Sequence, residues 1–495
     1  MEHPTVVLQP GLIVIVEKSA ALRWEELPRA TNELSTLAGN VAKRGGILRP
    51  VFHRPPSHEP KFHPPYSLPS PTNGTTQIPD LSAFFRVEVH EDEIEPLAAE
   101  IRQNPIVVST YIEPATELPV LNDMLPLPIP PTSISPDFTG RQGYLANSPD
   151  GVNAGFAWSQ HGGTGTGVQI IDIEFSWNLT HEDLIHQNVP IYGGAPRRGD
   201  VAGRNHGTAV VGVTSGGDNG FGITGICPDS TVRTVTNVGG SSGAEAIQTA
   251  AEMLNPGDIL ILEMHRAGPR FNFKSRSDQA GYIAVEWWPL DLAAIKYAVK
   301  RGIVVVEAAG NGGEDLDAAL YDAGPKYPYS FPPTWRNPFG RSSDDSGAIL
   351  VGAGAPSPGT HGRNHGPARS RLDFSNYGGL LDAQGWGQEV TTCGYGDLQG
   401  GQDENLWYTD KFAGTSSATP IVAGVLACVQ GVRKANGRNA CTPAEMRYLL
   451  RQNTGAQQED GTTDPVTGAI ANPASQRIGS LPNLQLLIAE ALNLP

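Results

Sequence analysis

Five strand-length apolar runs, at residues 168–173, 231–238, 259–263, 303–307 and 349–351, constrain the fold of this chain more than any other feature. Apart from 231–238, which carries Thr, Arg and Asn, they are mainly apolar rather than alternating, which marks strands buried on both faces. Helix-length stretches lie between and after them, at 206–215, 243–254, 290–301, 416–430, 443–451 and 484–492. Strands of this kind linked by helices predict an α/β fold with a doubly wound parallel sheet. Ligands of such sheets bind beyond the carboxyl ends of the strands, and Asp172 stands at the end of the first run.

The stretch Gly414-Thr415-Ser416-Ser417-Ala418-Thr419-Pro420 reads as a serine at the mouth of a buried helix. Gly414 permits a close backbone approach, Thr415 and Ser416 suit an N-cap, and Pro420 is tolerated in a first turn. The free N–H groups of such a helix favour a developing negative charge beside the serine hydroxyl. Alone, the segment is an ordinary serine cap. Upstream, however, Gly165-Thr166-Gly167-Val168-Gln169-Ile170-Ile171-Asp172 ends an apolar run on a carboxylate, and Asn205-His206-Gly207-Thr208 opens a helix of small residues on an imidazole. Asp, then His, then Ser is one of three known chain orders for a serine–imidazole–carboxylate site. Ala418 stands where an α/β-hydrolase elbow needs glycine, which excludes that order's fold.

These segments resemble the subtilisin-like serine peptidases over roughly residues 150–493. Leu372-Asp373-Phe374-Ser375-Asn376-Tyr377-Gly378 also matches a turn of that family. The resemblance implies hydrolysis of peptide bonds through an acyl-enzyme on Ser416, with His206 as general base and Asp172 holding its ring. Asp183, in His181-Glu182-Asp183-Leu184, is the weaker candidate because it terminates no strand. Asn311, in Ala308-Ala309-Gly310-Asn311-Gly312-Gly313, takes the role of oxyanion donor. Met264 and His265 would line one wall of the substrate cleft, and Ala308, Ala309 and Gly310 the other. Two departures stand out. Ile173 and Glu174 replace the small residue and glycine usual after the catalytic Asp, so Glu174 either alters the cleft floor or is a solvated side chain. His265 and Arg266 replace glycines, which puts β-pairing with substrate in doubt and predicts a narrow, selective cleft.

Before this region, residues 10–18, 46–52, 82–90 and 105–113 read as strands, with helices at 22–37 and 91–103. The order β-α-β-β-α-β predicts a smaller ferredoxin-like α+β domain over 1–113, followed by a Pro-rich linker over 114–148 and the catalytic domain over 149–495. The element order is similar to the inhibitory prodomains of the same family. That implies an intramolecular inhibitor whose tail crosses the cleft, and self-cleavage within the accessible linker. Residues 53–77, with His53, His58 and His63, form a Pro-rich insertion rather than a metal site.

With 35 basic against 51 acidic residues, the net charge of −16 disfavours nucleic acid and anionic membranes as partners, leaving protein or peptide substrates. No segment has the length of a transmembrane helix and no signal peptide is visible, so the chain as given is expected in the cytoplasm. Cys428 and Cys441 could close a short bridge, but reduced, buried cysteines fit that compartment better. Neither the Gly162–Gly167 run, which precedes a strand, nor His181-Glu182-Asp183-Leu184-Ile185-His186, with its second His one residue late, fits a phosphate loop or a zinc helix. The chemistry requires no metal or cofactor. Calcium stabilises many relatives, yet no ligand set is identifiable by motif. Two other activities share these residues: a catalytically silent peptide-binding protein, and a transpeptidase or cyclase that passes the acyl group to an amine.

Overall fold

The computed structural model describes residues 11–21, 33–53, 80–119, 135–196, 199–239, 241–326, 328–340, 344–452, 456–458 and 471–495. In the N-terminal part, strands β1 (Gly11–Val16), β2 (Ile47–Pro50), β3 (Phe84–Glu88) and β4 (Val107–Glu113) alternate with α1 (Lys18–Ala21), α2 (Glu33–Lys43) and α3 (Glu91–Ile101). The sheet order is β2-β3-β1-β4, with β1 antiparallel to both neighbours. This is the ferredoxin-like arrangement. Leu12, Val14 and Val16 face the helices, packing with Leu37, Val41, Leu97 and Ile101. Ile13 and Ile15 face the other way and join the core of the second domain. Strand β1 is therefore apolar at every position because the sheet is covered on both sides. Much of the helix expected at 22–37, and most of the histidine-bearing insertion, lie outside the described residues.

The larger domain begins with α4 (Ala154–Trp158) and then runs through β5 (Gln169–Glu174), β6 (Ile191–Gly193), α5 (Val201–Ser215), β7 (Thr231–Thr236), α6 (Gly243–Met253) and β8 (Ile259–Leu262). A hairpin follows, β9 (His265–Ala267) and β10 (Tyr282–Ala284), then α7 (Pro289–Lys300), β11 (Val304–Ala308), β12 (Ile349–Gly354) and β13 (Ala383–Trp386). A second hairpin, β14 (Val390–Cys393) and β15 (Tyr408–Phe412), leads into α8 (Thr415–Ala435), α9 (Pro443–Gln452) and α10 (Leu484–Asn493). The seven-stranded sheet has the order β13-β12-β11-β8-β5-β7-β6, and every pairing in it is parallel. Helices α6 and α7 cover one face and α5 and α8 the other, as two hydrophobic clusters record. The doubly wound fold is present as expected. Helix α8 is long and apolar enough to cross a membrane, but it is wholly buried in this core.

The N-terminal sheet docks on the α6–α7 side of the large domain. Tyr111 of β4 packs against Trp288 and Phe331, with ring centroids 6.0 and 5.1 Å away, and its hydroxyl accepts from Leu290 N–H at 3.1 Å. Arg266 lies buried between Glu113 of β4 (3.1 Å) and Asp291 of α7 (2.8 Å). Aromatic residues between 321 and 339 are part of this junction. Tyr321, Phe331 and Phe339 are buried, and Ser330 N–H donates to Thr110 O at 2.8 Å. Part of the Pro-rich linker is folded onto the large domain. Residues 139–145 form short 3-10 turns, and Tyr144 is fully buried with its hydroxyl on Thr391 O.

Candidate active site

Two strands and two helices place the site at the carboxyl ends of the sheet. Strand β5 carries Asp172 and Glu174 on one face, as the two-residue repeat of a strand requires. Helix α5, capped by Asp200 accepting from Gly203 N–H, carries His206 in its second turn. Gly207 lets this helix press against the Ser176–Trp177 turn, since a Cβ there would lie 2.4 Å from Ser176 O and 2.6 Å from the Trp177 ring. Trp177 thereby reaches Asp172, its indole N–H donating to Oδ2 at 2.7 Å.

The imidazole partner differs from the expected one. His206 Nδ1 lies 2.6 Å from Glu174 Oε1, so Glu174, rather than Asp172, holds the ring directly. Glu174 is fully buried and is no solvated side chain. Its length explains the exchange. From the last residue of β5 the longer side chain reaches the ring, while Asp172, two residues back, is taken by Trp177. Asp172 still acts on His206 as a neighbouring charge, raising its proton affinity. The signal was in the sequence, as the acidic residue at 174, but its burial was not.

His206 is fully buried, and burial pulls its pKa down to about 4. The ring packs edge-on against Phe412 at 5.6 Å, and Nε2 has no hydrogen-bond partner. Burial, reinforced by Glu174, holds the Asp172 carboxyl well above the ordinary range, and burial does the same to Glu174. A third carboxyl, Glu263 at the end of β8, is also fully buried. Burial and the charges of Glu174 and Asp172 push its pKa up. Ser416 is near enough to oppose that rise, yet neither Glu263 oxygen closes a hydrogen bond. The sequence placed Glu263 at a strand end without indicating that it would enter the site.

Ser416 stands in the first turn of α8, fully buried. Gly414 precedes the helix with φ of 106°, a left-handed conformation that glycine alone adopts without strain. The helix is capped by neither Thr415 nor Ser416. Asn311 Oδ1 supplies the cap from outside, accepting from Thr415 N–H at 2.9 Å and Thr415 Oγ1 at 3.0 Å. Pro420 lies deeper than a first turn, inside the helix, where Thr419 Oγ1 and Ser417 Oγ return hydrogen bonds to Thr415 O and Gly414 O. With its oxygen thus fixed, Asn311 directs its amide toward Gly414. Nδ2 donates to Gln279 Oε1 at 3.1 Å and has a second hydrogen to offer. Gln279 itself has φ of 54°, rare for a residue with a Cβ.

The chain's own residues 114–119 cross this site. Glu117 and His265 exchange both backbone hydrogen bonds, at 3.0 and 3.1 Å, so β-pairing at His265 survives the loss of glycine there. Gln279 Nε2 donates to Leu118 O at 2.8 Å, and Ser416 Oγ donates to Pro119 O at 3.2 Å. Of the expected wall residues, His265 therefore meets the peptide through its backbone. Met264 is buried, and its sulfur accepts from Asn237 Nδ2 at 3.6 Å. On the opposite wall Ala308 lies within β11, while Ala309 O and Gly310 O accept from Asn376. Asp183 lies elsewhere, held by Tyr408, Asn219 and Ile223 N–H. All four cysteines are buried and free, so Cys428 and Cys441 form no bridge.

A parallel sheet flanked by helices, with a serine at a helix N-terminus and an imidazole–carboxyl pair at its strand ends, is the architecture of the subtilisin-like class. The chain belongs to the Subtilase family, whose sequence profile matches residues 164–470. It is 32% identical over 286 residues to alkaline elastase YaB of Bacillus sp. (strain YaB), a match covering 56% of this chain and 58% of that protein. It is 29% identical over 297 residues to a calcium-dependent protease of Trichormus variabilis, covering 56% of this chain and 40% of that one. This chain thus spans about half the length of those relatives. Fervidolysin from Fervidobacterium pennivorans, a keratinolytic enzyme related to subtilisin, shares the fold with a TM-score of 0.53 at 16% identity, over 99% of this chain and 62% of that one.

Proposed function

We propose that this protein hydrolyses peptide bonds through an acyl-enzyme on Ser416, with His206 as general base and Glu174 as the carboxylate that holds it. To take the Ser416 proton at Nε2, the ring must carry its own proton on Nδ1 and donate it to ionised Glu174. The low proton affinity of buried His206 keeps the ring in its basic form. Asp172, its carboxyl held by the Trp177 indole N–H, anchors the turn beneath the imidazolium as it forms. Asn311 Nδ2 and the Ser416 backbone N–H stabilise the oxyanion. The N-terminal domain acts as an intramolecular inhibitor, its tail filling the cleft, and self-cleavage releases it. The observation that carries this proposal is the 2.6 Å contact between His206 and Glu174 in a cleft where Ser416 meets a peptide carbonyl.

Calcium, which the relatives make plausible, is assigned no residues in this proposal. The Trichormus relative is named calcium-dependent. In this chain the one grouping of ligand-type side chains among the described residues is His181, Asp183 and Cys393, which lacks the oxygen-rich set calcium takes. Labelling by a fluorophosphonate, lost in Ser416→Ala, together with hydrolysis of a casein substrate, tests the activity. Failure of the wild type to label would overturn it. Product masses with an added amine distinguish hydrolysis from acyl transfer.

A further inference from the structure

We propose that this peptidase cleaves on the carboxyl side of proline and that its own Pro119–Val120 bond is its first substrate. The inference rests on the peptidase function proposed above and concerns which bond that site selects. The exchanged hydrogen bonds of Glu117 and His265 add the tail as a strand beside the β9–β10 hairpin. Continuing that antiparallel register by two residues sets Pro119 opposite Glu263. The alignment is fixed from the other side by Gln279 on Leu118 O, and by Tyr282 Oη donating to Glu117 Oε1 at 2.6 Å.

This places the Pro119 carbonyl, and no other described carbonyl of the tail, on the nucleophile. Its oxygen accepts from Ser416 Oγ at 3.2 Å. It also lies 2.5 Å from where a Cβ on residue 414 would be, a point itself 3.2 Å from Asn311 Nδ2. The carbonyl oxygen therefore lies against both Ser416 and Gly414, on the side of Gly414 that the amide of Asn311 also approaches. Proline suits the position for two reasons. It has no N–H, so the ladder bond absent at this residue leaves no buried donor unsatisfied beside Glu263. Its compact ring is accommodated there, for Pro119 is buried, as Leu118 before it is.

In the reaction, Ser416 Oγ bonds to the Pro119 carbonyl carbon as His206 Nε2 takes the hydroxyl proton. The bond from that carbon to the Val120 nitrogen then breaks, and His206 returns the proton to the departing amine. Water hydrolyses the Pro119 ester, restoring Ser416 and leaving a carboxylate on Pro119.

The full chain and its Ser416→Ala variant, incubated and followed by intact mass and N-terminal sequencing, test the bond. A new N-terminus at Val120 in the wild type alone is expected. On the processed enzyme, Glu-Leu-Pro-p-nitroanilide should be hydrolysed with kcat/KM at least about tenfold above the Ala and Phe analogues. A different N-terminus, or preference for Ala or Phe, in an enzyme that a fluorophosphonate labels at Ser416 overturns the proline assignment and leaves the peptidase function standing. A wild type that neither labels nor processes overturns both.

Discussion

The Nδ1 atom of His206 is 2.6 Å from a carboxyl oxygen of Glu174, while Asp172, two residues earlier on the same strand face, is held by the indole of Trp177. The two acids therefore do different work. In the proposed mechanism Glu174 fixes the tautomer of the ring, while Asp172, held by Trp177, anchors the turn beneath it.

Exchanging the two acids for amides separates these roles. Glu174→Gln can turn its NH2 toward Nδ1, which holds the ring in the wrong tautomer, and it has no charge to balance the imidazolium, so it should lower kcat by about 10⁴-fold with KM little changed. Asp172→Asn keeps the hydrogen bond from Trp177 and should cost no more than about 10²-fold, of the order of one general electrostatic contact. Steady-state kinetics on both variants decide it. A larger loss in Asp172→Asn would return the ring-holding role to Asp172.

Much of this arrangement was legible in the sequence because it depends on short-range pattern. The apolar runs that became β5, β8, β11 and β12 are buried on both faces, and that burial is written in their composition. The edge strand β6 (Ile-Tyr-Gly) and β13 (Ala-Gln-Gly-Trp) are short and carry no such run, so the outer strands stayed invisible. The hairpin β14–β15 alternates with threonine and aspartate and was hidden for the same reason. Glu174 and Glu263 were misjudged or missed because charged residues are ordinarily exposed. Only three-dimensional packing shows a carboxyl sealed beneath a peptide tail.

Glu263 gives that sealing a measurable pH dependence. Its pKa is raised in the folded protein, so it is neutral there while the unfolded chain would ionise it. The stability this group contributes is fully present below its unfolded pKa, roughly 4.5, and is lost as pH rises through the higher folded value. An isosteric Glu263→Gln removes the dependence. Calorimetry of the two proteins in the inactive Ser416→Ala background should give matching Tm values near pH 4, with the Gln variant increasingly the more stable toward pH 8. Parallel Tm curves would show that Glu263 does not stay neutral in the folded state.

Gln279 joins the peptide to Asn311, the proposed oxyanion donor, giving one amide hydrogen bond to Leu118 O and accepting one from Asn311. Gln279→Leu keeps the bulk and loses both. It should raise KM for peptides several-fold and lower kcat by about tenfold, since Asn311 loses one of the bonds that orient it. Asn311→Leu removes the donor itself and should lower kcat by about 10²–10³ with little change in KM. If Gln279→Leu alters neither constant, the Leu118 contact belongs to the intramolecular tail alone.

The docking of the N-terminal domain turns on Arg266, whose guanidinium is buried between Glu113 of that domain and Asp291 of α7 and also donates to Pro114 O. Removing the cation while leaving both carboxyls in place strands two acids in a dry junction, a loss of about 3–5 kcal/mol for a broken buried pair. Arg266→Met fills the volume without the charge. At the lower end of that range, the Kd of the cleaved N-terminal domain for the rest of the chain should rise by at least about 10²-fold. Titration of the separated fragment as an inhibitor of peptide hydrolysis measures it. On the proposed role of that domain as inhibitor, the variant should be active sooner after cleavage, because the domain leaves more readily. An unchanged inhibition constant would assign the docking energy to the apolar contacts of Tyr111, Trp288 and Phe331, with the ion pair serving only to set the register of β4 against α7.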